Sequence, residues 1–536
     1  MSPQKVHRPR TPRQLQKAQR GQRKVLAESI CKEGAANATP TQTDAEIAAA
    51  LAVRGAQLTE AECQDWLGDL QQRVDKILQT PEQNLGFIEE ELARATREPL
   101  RLLAQRAAQA KANATPCQCP KCQTDLQHQR LLGRGIDSRF GRFQIYRLYG
   151  RCASCAVWHF PADLVLGLNK NCPASPYLQE VTALLGTKMP SEQAVDVAAR
   201  FGLDLSRCFI HREGHRQGLK AEQVRSAQLA ELDSWEAIQK SAANEGPSGA
   251  PFTLVIEIDA WNIRERDDWG RTNEARAEAL SLKKDAPSKW HWVYVATVFR
   301  LDHRGEKDRG RAFISRRAYV STRLGIEPFM RQLYWEAIGC GLRQARDVLV
   351  IADGAIWIWN AAHDRFPTAR SRLDLYHARE HLWTIAHELY GKESPEASQW
   401  VTPLLERLHQ DQPVELIQSL KDVQAVVNEK LQKKVQTQIT YFEHNQNRLN
   451  YREIIDARQA LKDGTATPAQ KTKAGEPLGS GAIESTCRQY QCRFKRTGQF
   501  WSMAGDEALM CLETFWRNGR WHAVFPHAKP PSLANN

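Results

Sequence analysis

The 536-residue sequence predicts an α/β protein, and three observations carry that reading. Two apolar, β-branched runs, Thr253–Asp259 and Val348–Asp353, each close on an aspartate. Strand-like and helix-like patterns alternate from residue 252 to residue 393, after which only helical periodicity follows to residue 477. Two CxxC pairs, far upstream of both aspartates, mark a separate small module. A short run that is apolar throughout fits a strand buried on both faces. A carboxylate ending such a strand cannot be core, because a buried unpaired charge costs too much. Asp259 and Asp353 are therefore expected at a sheet edge, facing water, a cation or a metal.

A chain this long predicts two to four domains. Its net charge of +12 and pI near 9.1 suit a polyanionic partner. With no run of 18 apolar residues and a polar N-terminus, it reads as a soluble cytoplasmic protein with no membrane partner. Thirteen cysteines, partly in CxxC pairs of a large chain, favour metal over disulfides.

Residues 1–42 form a basic arm expected to be disordered, with Lys5, Arg8, Arg10, Arg13, Lys17, Arg20, Arg23 and Lys24 and no acid before residue 25. It reads either as a solvated tail or as a DNA-contacting segment. Residues 43–115 are helical by spacing, with Leu67, Leu70, Val74 and Leu78 expected on one face. Residues 116–172 carry Cys119, Cys122, Cys152 and Cys155, two knuckles that would complete a closed four-cysteine site for structural Zn²⁺. Cys117 is an alternative to Cys119, and Arg142–Tyr149 alternates as a strand of a zinc ribbon should. Residues 173–242 give three helix starts, at Ser175, Ser191 and Asp204 or Ser206, the first run ending at Gly186. The basic third helix, with Arg207, Arg212 and Arg216, reads as the DNA-binding element of a helix-turn-helix or as the solvated face of an ordinary three-helix subdomain. A linker follows at residues 243–251.

In the core, an exposed charged segment is expected from Trp261 to Lys289. Strands are expected at His291–Arg300, Arg311–Val320, Asp347–Asp353 and Arg372–Tyr376, and helices at Pro328–Leu342, Ala355–His363 and His377–Tyr390. The order β-β-β-α-β-α-β-α matches a ribonuclease H-like fold, in which the first and fourth strands are neighbours. Residues 394–477 are then an all-α insertion, with stripes Leu404, Leu405, Leu408 and Leu416, Ile417, Leu420, and a polar stretch, Thr465–Lys473, expected to be mobile. Residues 478–525 return to the core, and 526–536 are a tail. The segment Gly479–Glu484 starts a helix in which Arg488 and Lys495 lie near the face of Glu484. Spacing alone favours an exposed Glu–Arg pair, but the glycine-lined helix start decides for a ligand, since glycines let backbone approach one closely. Two strand-borne Asp and one helix-borne Glu are the parts needed to hold two divalent cations, Mg²⁺ or Mn²⁺, for phosphoryl transfer.

The motifs IEIDAW (256–261), VIADGAIWIW (350–359), DLYHA (374–378) and LGSGAIESTCRQ (478–489) resemble DDE insertion-sequence transposases of the ISKra type, relatives of the Mutator-like group. The resemblance spans about Leu254 to Trp521. It implies Asp259, Asp353 and Glu484 as a metal-binding triad, a helical insertion before the Glu, and recognition of an element's inverted repeats. It also implies that His377, from a Cys/Asp-x-x-His motif starting at Asp374, sits near the scissile strand; a His packing its own helix is the bland alternative. Bringing two element ends together implies at least a dimer on DNA. A ribonuclease H-like nuclease without strand transfer would need neither ribbon, helix-turn-helix nor insertion. A domesticated DNA-binding protein would have no use for clustered carboxylates.

Overall fold

The computed structural model describes residues 44–57, 59–79, 84–233, 251–265, 289–307, 311–392, 394–497 and 499–527. The basic arm, the linker up to Gly249 and Ala250, and residues 266–288 of the charged segment lie outside the described residues. The chain is mixed α/β and divides into two compact units, one of residues up to Gln217 with residues 522–527, the other Gly218–Trp521, the boundary falling within the helix Arg207–Ala230. Among the described residues, no helix is long and apolar enough to cross a membrane.

The first unit opens with helices α1 (Asp44–Ala52), α2 (Glu60–Leu78) and α3 (Leu85–Ala114). Thr59 and Glu62 form a capping box that starts α2, and Glu62 also pairs with Arg106 of α3. The inward face of α2 is rotated from the expected one. Leu67 and Leu78 are exposed, whereas Ile77 is buried and Trp66, Leu70 and Val74 are half-buried. The aromatic at 66 begins an i, i+4, i+8 stripe that the leucine count alone misplaces by one position.

Next come strands β1 (Gln127–Ser138), β2 (Gly141–Arg151) and β3 (Trp158–His159), antiparallel in that order, and the short helix α4 (Pro161–Val165). The long β1–β2 hairpin accounts for the wide Cys122–Cys152 gap. Gln109 of α3 treats β2 as a strand would. Its amide donates to Tyr146 O and accepts from Tyr146 N, each at 2.8 Å. Helices α5 (Pro176–Lys188), α6 (Ser191–Arg200) and α7 (Arg207–Ala230) follow. Gly186 does not end α5. It lies inside the helix, which runs on to Lys188, and faces Ile210 of α7.

The second unit holds β4 (Thr253–Glu265), β5 (Lys289–Arg300), β6 (Arg304–Lys307), β7 (Arg311–Ile314), β8 (Ala318–Thr322), α8 (Ile326–Gly339), β9 (Asp347–Ala352), α9 (Ile356–Arg365), β10 (Arg370–Leu373) and α10 (Leu375–Tyr390). Its mixed sheet runs β10-β9-β4-β5-β8. β4, β5 and β8 pair antiparallel, while β9 and β10, reached through helices, pair parallel with β4 and each other. The strand expected over Arg311–Val320 is two strands. β7 turns away to pair with β6, and only β8 joins the main sheet. Residues 261–265 are not an exposed segment but the end of β4, with Trp261 and Ile263 buried. The expected fifth strand stops at Leu373, because Asp374 caps α10.

One sheet face packs Leu254, Ile256, Ile258 and Val350 against Phe329, Ile358 and Leu382. The other packs Val255, Phe299, Leu349 and Ile351 against Ala482. Each such side chain fully removed from water stabilises the fold by about 1.5–3 kcal/mol. The helices α11 (Pro395–His409), α12 (Pro413–Val426), α13 (Glu429–Asn445), α14 (Arg452–Lys462) and α15 (Pro468–Ala474) come next. Their Leu404, Leu408, Leu416, Ile417 and Leu420, with Val435, Ile439 and Phe442, belong to the first sheet face's core; Leu405 is half-buried. The polar stretch 465–473 is largely α15, ordered by a Thr467/Gln470 capping box. The chain then returns through α16 (Gly481–Phe494) and α17 (Met503–Arg517).

Candidate functional site

β4 and β9 run parallel with Glu257 opposite Ile351. Asp259 stands two residues beyond that pair on β4, and Asp353 stands just past the end of β9, near enough for its charge to act on the Asp259 carboxyl. Asp353 follows the last residue of β9 directly, and the chain turns at Gly354, where φ is +102°. A Cβ at Gly354 would meet Tyr441 Cε2 at 2.7 Å and Leu373 Cδ1 at 2.9 Å, so only glycine fits. Ala355 N donates to Asp353 Oδ1 (3.0 Å), and Tyr441 Oη donates to the Asp353 carbonyl (2.9 Å). Asp259 Oδ1 accepts from Ala260 N (2.6 Å) and Oδ2 from Cys487 Sγ (3.4 Å). Burial, and then the neighbouring Asp353, push the Asp259 carboxyl above the usual range.

Glu484 lies in the first turn of α16 and faces the same edge. Burial, followed by Asp374 and more weakly Asp259, pushes its carboxyl up. Its Oε1 is 3.9 Å from His377 Nδ1 and its Oε2 is 4.0 Å from Arg488, whose side chain is otherwise exposed. Lys495 points elsewhere, 5.5 Å over the ring of Trp290.

His377 Nδ1 stands 3.7 Å from Asp374 Oδ2. The Asp374 carboxylate, with Asp353 and Glu380 beyond it, holds the imidazole protonated up to about 9. Asp374, Glu484 and His377 offer ligand atoms within 4.8 Å of one another, an acidic group into which Asp259 and Asp353 do not fall. Asp374 is a poor ligand within it. Its Oδ1 already accepts from Tyr376 N and His377 N, and its Oδ2 from Ser480 N and Ser480 Oγ. Burial pushes the Asp374 carboxyl up, yet the hydrogen bonds from His377 and Ser480 outweigh it and hold it at about 2. Asp374 is thus a brace between the start of α10 and the loop before α16. Gly479 allows that closeness, since a Cβ there would meet Tyr376 Cδ2 at 2.5 Å.

Sequence reading overlooked three supports. Asn445 accepts from Trp359 Nε1 (2.8 Å) and donates to Gly354 O (3.4 Å), and Tyr441 acts beside it. Nothing local in the sequence marks either residue. Glu257 was legible in principle, since a second acid two residues before Asp259 must share its face of the strand. It is buried, accepts from Ile483 N at 2.8 Å, and burial pushes its carboxyl up to about 8.

Cys119, Cys122, Cys152 and Cys155 converge within 4.8 Å, a four-cysteine site compatible with structural zinc. The two knuckles match. Gln123 N donates to Cys119 O (2.9 Å) and Ala156 N to Cys152 O (3.0 Å), and Gln123 and Ala156 both take φ near +58°. Cys117 packs beside the cluster without entering it. The Cys155 amide, donating to Cys152 Sγ at 3.3 Å, is the chief reason that the Cys152 thiol falls to about 6.

Of the three arginines expected on α7, Arg207 is exposed and pairs with exposed Glu192. Arg216 is mostly buried, donating to Glu213 Oε2 (2.8 Å) and Asn171 O (3.1 Å). Arg212 lies 6.0 Å over the Phe209 ring. Arg216 is thereby held in an ion pair with Glu213, which is itself fully buried. Neither family models nor curated proteins match the chain.

Proposed function

We propose that the protein is a DDE-type DNA transposase with a ribonuclease H-like core, cutting at the inverted repeats of an insertion sequence and joining the freed 3′-hydroxyl to target DNA. The observation that carries this reading is that Asp259 on β4, Asp353 just past the parallel neighbour β9 and Glu484 in the first turn of α16 lie near enough for Asp353 and Glu484 each to interact electrostatically with Asp259. The sheet order β10-β9-β4-β5-β8, with only β5 antiparallel to both its neighbours, supports the fold assignment. Asp259, Asp353 and Glu484 form an all-oxygen donor set, which fits Mg²⁺ or Mn²⁺. Two such ions, when bound, activate the attacking oxygen and stabilise the leaving one.

The protein's own residues supply the rest. Desolvation raises Asp259 and Glu484, so each gains by pairing with a cation, and Arg488 brings a positive charge to the same edge for a phosphate. Protonated His377 stands where it can contact a phosphate oxygen or hold a displaced strand. Asp374 ties down the loop before the helix that carries Glu484. Zn²⁺ in the four-cysteine site is structural, with four protein ligands and no open position. Two element ends require at least a dimer on DNA.

A strand-transfer assay with inverted-repeat DNA and Mg²⁺ tests the proposal. Joined product is expected. Hydrolysed ends without joining would indicate a nuclease, and binding without cutting a DNA-binding regulator.

A further inference from the structure

We propose that Glu257 is a positioning residue that sets Glu484 against Asp259 by anchoring the first turn of α16 on strand β4. The inference deepens the metal-site reading above and rests on it for its chemical consequence.

A helix leaves its first amides without partners inside the helix. In α16 the N-cap residue does not supply one. The Ser480 side chain makes no cap hydrogen bond and its hydroxyl instead donates to Asp374. Glu257 fills that place from the sheet. Its Oε2 accepts from Ile483 N at 2.8 Å.

The location makes the bond a ruler. Glu257 and Asp259 are one strand period apart and leave the same face of β4. Ile483 immediately precedes Glu484. One hydrogen bond therefore links the backbone of the first ligand to the backbone of the third. On that face Val255, Phe299, Leu349, Ile351 and Ala482 pack together, and the buried Thr297 stands across from Glu257 on β5. A carboxyl group in such a layer costs several kcal/mol unless hydrogen-bonded. An apolar side chain would pack there equally well but would leave the Ile483 amide unpaired. Asp374, just past the end of β10, holds the other side of the same loop through Ser480, so two buried carboxyl groups grip residues 480–483.

The test uses the full chain with Glu257→Ala and Glu257→Gln. Amide hydrogen exchange is read over residues 479–486, and Mn²⁺ binding by electron paramagnetic resonance. Gln keeps an acceptor, so its exchange and Mn²⁺ affinity should stay within about threefold of wild type. Ala should exchange at least about tenfold faster at Ile483 and bind Mn²⁺ about tenfold or more weakly, as when other outer supports of a metal site are lost. If the Ala variant fails to fold, Glu257→Met, which fills the space without an acceptor, takes its place with the same expectation. Wild-type exchange and affinity in Ala or Met would overturn the proposal, as would Gln behaving like Ala. If wild type binds no Mn²⁺, the metal-site reading fails by itself, and the exchange comparison alone decides whether Glu257 is the anchor.

Discussion

Asp259 and Asp374 show how donors decide what a buried carboxylate does. Asp374 receives four hydrogen bonds and is held at about 2, whereas burial and Asp353 win at Asp259. The first is fully engaged by four donors, whereas the second has one on each oxygen, from Ala260 N and Cys487 Sγ. Single Asp259→Ala, Asp353→Ala and Glu484→Ala variants should lose roughly a thousandfold in cleavage, about 4 kcal/mol, while still binding element ends. Near-normal cleavage by one variant would remove that residue from the triad. His377 adds a pH signature. Its folded-state value of about 9 lies above the ordinary 6.5, so the protonated ring stabilises the fold. That contribution is fully present below about pH 6.5 and is lost as pH rises through about 9. With the ring about one-third exposed, screening reduces it to on the order of 1 kcal/mol. Urea unfolding in Mg²⁺-free buffer at pH 6 and pH 9.5 should show this drop in wild type and a flatter profile in His377→Ala. The same variant should cut DNA more slowly with its metals retained; cutting at the wild-type rate despite lower stability would make His377 structural.

At the scale of elements, the strands bearing Asp259 and Asp353 were legible because strands buried on both faces are apolar throughout. The knuckles were legible because CxxC spacing has a mechanical meaning. The inward face of α2 was not, since Trp66 rather than Leu67 sets its phase. Nor was the role of Arg216, because charge in a sequence does not say whether its partner, here Glu213, is buried. Arg216→Ala should therefore lower stability by about 2 kcal/mol, leaving Glu213 without its cation. Arg207→Ala, which breaks only an exposed pair, should leave the melting temperature unchanged and alter DNA affinity or its salt dependence if α7 meets DNA. The ribbon makes an independent prediction. Elemental analysis should find about one zinc per chain, and chelation should loosen the β1–β2 hairpin while sparing the main sheet. Zinc-free protein with an intact hairpin would end that expectation.

Across the whole chain, the insertion is less separate than its sequence suggests. Its Leu404, Leu408, Leu416, Ile439 and Phe442 share one core with sheet residues Leu254, Ile256 and Val350. At the site, α13 reaches the turn after Asp353 with two side chains, Tyr441 on the Asp353 carbonyl and Asn445 on the Gly354 carbonyl. Asn445 is almost fully buried and also holds Trp359 Nε1, so truncating it strands a buried indole N–H and a backbone carbonyl. Each orphaned group costs about 1–3 kcal/mol. Asn445→Ala should therefore destabilise the second unit by about 3 kcal/mol and slow cleavage by freeing the Asp353–Gly354 turn. Because the insertion and sheet share a core, their amides should lose exchange protection together, in one cooperative transition, in both wild type and variant. Hydrogen exchange through the melt checks this directly. If α11–α14 lose protection well before β4 and β9, the insertion is an independent folding unit, and the hold of Tyr441 and Asn445 on the Asp353 turn is too weak to shape the site.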